Sequence, residues 1–393
     1  MRFILDAHLD LAWNAMSFDR DQTLPVSTLR AREQGMTGRG RGNCTTSLVE
    51  MRKAGVGICL GTLLARTLPE AALQTFYAES SVAKRAHGPV IYREDLDHAN
   101  HTITCAAAQG QLAYYRILEF DGDVKLIRTA DDLHKLAAAW QDWLTRPVVT
   151  PDAAPPPIGI ILSMEGADPI RSPRETARWF ANGLRTACLA HYGPSAYAMG
   201  TGGDGPLTPE GIALVEEFDR LGIILDLVHT ADTAIEQALD HYSRPVFVSH
   251  GNCRALVPHD RQMTDGQIRA VASRDGVLGV VLDAWMIVKD YVRGCPREAN
   301  PTLEHLSYHI DHICQITGSS RHVGIGSDLD GGFGTEQTPR DVETIADLHR
   351  LAEVLAKRGY RESDIDGIFH GNFLRFFAAN LPAAAAPEPE AAA

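Results

Sequence analysis

The chain has 393 residues, enough for one large α/β barrel with insertions or for two medium domains. Hydrophobic residues make up 45% of it and charged residues 22%, a globular balance that excludes a mostly disordered chain. The formal charge of −13 argues against a protein built to hold a nucleic-acid backbone.

Short apolar runs alternate with amphipathic stretches, the pattern of repeated strand–helix units. In chain order, strands are expected at 3–5, 56–60, 158–162, 184–189, 223–228, 246–248, 277–282 and 323–325. Eight is the number that a closed parallel barrel needs. Thr129 opens one helix, carrying Leu133, Leu136 and Trp140 on one face. Thr208-Pro209-Glu210 starts another, with Gly222 as its stop, and Thr264-Asp265 a third. The organisation expected is a single barrel domain over 1–380 with a helical insertion at about 64–156, within which 124–127 reads as a short strand. A disordered Ala/Pro/Glu tail follows over 381–393.

Seven cysteines, widely spaced and with no Cys-x-x-Cys pair, form neither a disulfide framework nor a thiolate zinc site. The first residues meet Asp6 after three apolar ones and lack the apolar core of a signal peptide. No run approaches the roughly 18 apolar residues of a membrane span. A cytoplasmic protein without a membrane partner is expected.

Polar residues cluster just after the strands. The first strand runs into Asp6-Ala7-His8-Leu9-Asp10, the third into Ser163-Met164-Glu165, and the fourth ends at His191. The fifth ends at His229, the sixth at Ser249-His250, and the eighth at Ser327-Asp328-Leu329-Asp330. In a barrel all of these lie on the carboxyl-end rim, where barrel enzymes keep their active sites.

The residue types suit a metal-activated hydrolase, because neutral imidazoles and carboxylates are zinc ligands. His8, Asp10, Glu165, His229 and His250 exceed what one catalytic zinc needs. Two ions bridged by a carboxylate would use them all, and Glu165 is the natural bridge. The bland alternative is real: His309-Ile310-Asp311 is a second His-x-Asp, in a helix, with His305 and His309 at zinc-pair spacing and His312 beside them. Those histidines lie roughly opposite the apolar face of that helix and are expected to face solvent. His98 and His101 fall in the insertion and are likewise read as structural.

At these residues the sequence resembles the renal (membrane) dipeptidase family, peptidase family M19, among the amidohydrolase-like barrels. The carriers are Asp6-Ala-His-Leu-Asp10, Glu165-Gly166, Leu207-Thr-Pro-Glu-Gly211, Leu221 to His229, Ser249-His250 with Arg261, and Gly324-Ile-Gly-Ser-Asp328-Leu-Asp330-Gly331. They run in order from the first strand to about Phe377.

The resemblance implies a distorted (β/α)8 barrel and a zinc dipeptidase that cleaves dipeptides through a metal-bridging hydroxide. Two Zn2+ are implied, with His8 and Asp10 on one, His229 and His250 on the other, and Glu165 between them. It also gives roles to three further residues. Asp328 would relay the proton to the leaving amine, His191 would polarise the carbonyl oxygen, and Arg261 would receive the terminal carboxylate. A small dipeptide is the implied partner, with a homodimer as the assembly to look for. Other reactions on the same metal pair, on N-acyl amino acids or lactones, stay open, as does a non-catalytic ligand-binding barrel. The sequence departs from the family pattern at Ala7 and Leu9, after His191 (Tyr192-Gly-Pro), and at Asp283-Ala284-Trp285-Met286, where better-known members carry a tyrosine.

Overall fold

The structure is a computed structural model that describes residues 1–68, 93–146 and 154–383. Ten strands are assigned among these residues: β1 (Ile4–Leu9), β2 (Val56–Leu64), β3 (Arg66–Thr67), β4 (Asp97–His98), β5 (Val124–Ile127), β6 (Ile158–Glu165), β7 (Thr186–Ala187), β8 (Ile224–Leu225), β9 (Leu278–Val280) and β10 (Val323–Ile325). The main sheet is parallel and runs β8-β7-β6-β2-β1-β10-β9. Two bridges, Asp226 to Phe247 and Val248 to Leu278, span the gap between β8 and β9. The sixth stave is therefore present, and the eight expected positions form a closed barrel.

Strand lengths depart from the sequence reading in a consistent way. The first three staves are longer than expected, so that His8 and Glu165 lie inside β1 and β6. The later ones are short: two residues in β7, two in β8 and three in β9. A Cβ on Gly279 or Gly326 would lie 2.0 or 1.8 Å from the Ser249 carbonyl oxygen, so the backbone there is packed too tightly for regular side chains.

The segment placed in an insertion joins the barrel sheet directly. β5 pairs with residues 158–161 of β6, while β7 pairs with Ser163 and Met164 further along the same edge. Val124, Leu126 and Ile127 are buried and Lys125 is exposed, which fits a strand with one face on the core. Helix His101–Asp121 lies over β2, with the Tyr115 hydroxyl donating to the Thr62 carbonyl (3.2 Å). Helix Ala130–Thr145 starts at a Thr129/Asp132 capping box and sets Trp140 against Gly57. Of the expected tail, residues 384–393 lie outside the described residues, as do 69–92 and 147–153 of the insertion.

Helix starts at Thr208 and Thr264 are found as expected, with capping hydrogen bonds to Gly211 and Gln267. The last helix, Asn372–Asn380, packs Phe373, Phe376 and Phe377 against Phe247 of the sixth stave. All seven cysteines are free. Among the described residues no helix is long and apolar enough to cross a membrane.

Candidate metal centre

The carboxyl ends of the staves deliver His8, Asp10, Glu165, His191, His229, His250 and Asp328 to one place. Glu165 is at its centre. Its Oε1 lies 3.1 Å from His229 Nε2, 3.4 Å from His250 Nε2 and 3.6 Å from His191 Nε2. Its Oε2 lies 3.6 Å from His8 Nε2, which is also 3.7 Å from Asp10 Oδ1 and 3.6 Å from Asp328 Oδ1. One carboxylate thus faces two sets of donors, one through each oxygen. Among the described residues, three groups have the spacing to hold an ion: His8-Glu165-His250, Glu165-His191-His229 and His8-Asp10-Asp328.

Outer partners fix several of these side chains. Thr62 Oγ1 donates to Asp10. Ser249 Oγ pairs with His250 Nδ1 at 2.9 Å and Thr201 Oγ1 with His229 Nδ1 at 3.1 Å, leaving each Nε2 turned to Glu165. Asp6 accepts from the main-chain N–H groups of His8 (3.1 Å) and Ser327 (2.9 Å), and Asp226 does the same for Val228 and Ser249. These two buried acids tie neighbouring staves together beside the cluster. The sequence reading gave them no role; their signal was an acid two or three residues before a strand-end histidine. His229 (φ 60°) and Asp328 (φ 57°) hold left-handed backbone that side chains other than glycine rarely adopt.

The electrostatics of the cluster suit a cation. Burial pushes Glu165 and Asp328 up from the usual carboxylate range, and repulsion from Asp10 adds to it. Burial also pulls His191, His229 and His250 well down, leaving neutral imidazoles with lone pairs to donate. His8 differs: burial lowers it, but Glu165, Asp10 and Asp328 outweigh that and push it up to about 10. His8 Nε2 and Glu165 Oε2 are buried without a hydrogen-bond partner. Buried acids short of positive charge, with orphaned donor atoms aimed at one point, fit a metal.

A cavity of about 760 Å³ opens over the cluster, lined by Glu165, His191, His229, Arg261 and Asp328 among others. Arg261 is buried: Nη2 donates to the His250 carbonyl (3.0 Å), and Nη1 is buried without a partner. Trp285 and Met286 line the wall, and Tyr192 supplies a phenol from the loop after β7. The Tyr192 ring lies 5.0 Å from that of His229.

The histidines that the sequence reads as structural, His98, His101, His305, His309 and His312, lie outside the cluster. The expectation that the histidines of helix Leu303–Thr317 face solvent fails for His309, which is fully buried. Its Nδ1 accepts from Cys253 N–H (3.1 Å) and its Nε2 meets the Ile287 carbonyl (2.9 Å), because the helix packs on two sides rather than one. His305 caps its own helix at Thr302, and His312 pairs with Asp265. His101 bonds the Asp168 carbonyl, while His98 lies in β4.

An eight-stave α/β barrel with imidazoles and carboxylates gathered at its carboxyl-end rim defines the class of metal-centre barrels. The chain belongs to the membrane dipeptidase family, peptidase family M19, whose model matches residues 2–389. An uncharacterized dipeptidase of Schizosaccharomyces pombe is 32% identical over 223 residues, 56% of this chain and 52% of that protein. A dipeptidase of Aspergillus oryzae is 31% identical over 228 residues, 56% of this chain and 51% of its own length. The chain therefore spans about half the length of these curated relatives. A metallo peptidase of Rhodobacter sphaeroides, solved with a phosphinate mimic of the dipeptide L-Ala-D-Ala, has the same fold at a TM-score of 0.72 and 21% identity, covering 97% of this chain and 99% of that one.

Proposed function

We propose that the chain is a zinc dipeptidase, with His8 and Asp10 holding one ion, His229 and His250 the other, and Glu165 shared between them. The observation that carries this is the division of Glu165, one oxygen toward His8 and the other toward His229 and His250. Membership of a dipeptidase family, and curated relatives named as dipeptidases, support the reaction class.

When bound, the ions supply Lewis acidity and a water acidified towards a pKa of about 7. The protein's own groups do the rest. The free Nη1 of Arg261 receives the terminal carboxylate, and its Nη2, held by the His250 carbonyl, fixes the angle of the guanidinium. His191, kept neutral by burial, offers a ring N–H to the substrate carbonyl oxygen as charge grows there. Asp328 takes a proton from the attacking water on a carboxylate oxygen and returns it to the leaving amine nitrogen.

The test is a dipeptide library set against N-acyl amino acids, with elemental analysis of the same zinc-loaded protein. Dipeptide turnover with about two zinc per chain is expected. Failure to cleave any dipeptide would reject the reaction, and one ion per chain would reject the shared Glu165.

A further inference from the structure

The cavity wall carries positive charge that the reaction above does not use. Arg39 and Arg293 both line it, in addition to Arg261. Two other wall arginines are committed elsewhere, Arg66 to Asp97 (2.6 Å) and Arg93 to Asp95 (2.7 Å). Arg39 and Arg293 have no hydrogen bond or ion pair among the described residues. Arg293 lays its guanidinium over the Trp285 ring, 5.4 Å from the centroid. The acid facing both is Asp283, and its oxygens are already taken by the Gln337 amide (2.7 Å) and the Trp285 indole (2.6 Å). Burial, then repulsion from Arg293 and Arg93, holds Arg39 below the usual arginine range.

The loop that presents Arg39 is built with care. Gly38, Gly40 and Gly42 all have positive φ (136°, 70° and 74°), which lets the chain reverse within a few residues. Gly40 rests on the main chain of Phe333, and Thr335 N–H donates to the Asn43 carbonyl (2.9 Å), so the loop is laid on the segment that follows Asp330. Buried Glu33 accepts from Arg20, Arg41 and Gly42 N–H, and Arg20 also donates to the Gly40 carbonyl. Of the two arginines between these glycines, Arg41 is turned into the protein and Arg39 into the cavity. A buried ion-pair network thus orders a loop whose outward arginine makes no ion pair among the described residues.

With the terminal carboxylate assigned to Arg261, a second anion in the cavity must come from a substrate side chain. Guanidinium groups suit a carboxylate there through paired N–H donors. We propose that Arg39 and Arg293 form a second anion-binding position that takes the side-chain carboxylate of an acidic dipeptide, giving the site a preference for Asp or Glu at one of its two positions. This rests on the dipeptide reading above.

Binding and turnover are measured separately, so that the two proposals can fail independently. Calorimetry on zinc-loaded full-length Asp328→Asn protein compares Glu-Ala with Gln-Ala and Ala-Glu with Ala-Gln. At one position the Glu dipeptide is expected to bind about 10-fold or more tightly than its Gln isostere, in line with a charge-assisted contact. Adding Arg39→Gln and Arg293→Gln should bring that ratio close to one, and Arg39→Lys should restore part of it. Equal binding of Glu and Gln dipeptides, or a ratio that survives both substitutions, overturns the anion position. If the ratio behaves as expected yet unsubstituted protein cleaves no dipeptide, only the reaction is lost.

Discussion

The side-chain amide of Asn14 donates a 3.0 Å hydrogen bond to the main-chain carbonyl of Asp10. The same nitrogen donates to the Asp330 carbonyl at 3.0 Å, and Asn14 Oδ1 accepts from Arg20 Nη1 at 2.7 Å. One buried amide therefore clips the end of β1 to the loop after β10, which carries Asp328. Asn14→Leu should lower stability by about 1–3 kcal/mol, since it leaves an Arg20 N–H unpaired in the interior. Denaturant unfolding reads the loss, and an unchanged midpoint would contradict the clip.

Asp328→Asn and His250→Ala separate proton transfer from metal binding. The asparagine keeps the shape of the side chain but cannot carry the proton, so turnover should fall by about 10²–10⁴-fold with zinc content unchanged. The alanine removes an imidazole facing Glu165, so zinc content itself should drop. Retained activity in the first, or full zinc in the second, would remove the role assigned.

Thr201 and Ser249 act through the rings they hold. Thr201→Val and Ser249→Ala each release one imidazole Nδ1, on His229 and His250 respectively. Zinc affinity should fall by about 10–100-fold in each, read by competition with a chelating dye. The valine closely matches threonine in size, so a fall there reports the lost hydrogen bond.

Acid stability should depend on Glu33. Burial alone raises its carboxyl, but Arg20, Gly42 N–H and Arg41 outweigh burial and hold it below the usual range. The folded chain then binds fewer protons here than the unfolded chain, whose glutamate titrates near a pKa of about 4.3. Its contribution is present above that value and is lost as the pH falls through the lower folded one. Glu33→Gln should be less stable at neutral pH, because Arg20 loses its buried partner, and its stability should fall less steeply in acid. Parallel acid limbs for the two proteins would count against this.

Much of the candidate site was legible because residues of ligand type sit at strand ends. His8, Glu165, His229 and His250 follow apolar runs, so the pattern marks both the stave and the rim. Asp6 and Asp226 were not legible in the same way. Their chemistry is a bond to the next stave's main chain, and no spacing in one chain records which stave is next. Arg39 was hidden for a related reason: in sequence it is one arginine in a glycine-rich run, and only the laying of that run on Phe333 and Thr335 turns it toward the cavity.

Alternation of apolar runs with capped helices, together with residues of ligand type at the run ends, was enough to determine an α/β barrel with a metal-type rim. These are local properties, set by side-chain burial and hydrogen bonding within a few residues. Which oxygen of Glu165 faces which histidine, how β5 enters the sheet beside β6, and that Arg261 and His309 are buried were decided by tertiary structure alone. Each depends on the distance between segments far apart in the chain, and that distance is set by packing rather than by sequence pattern.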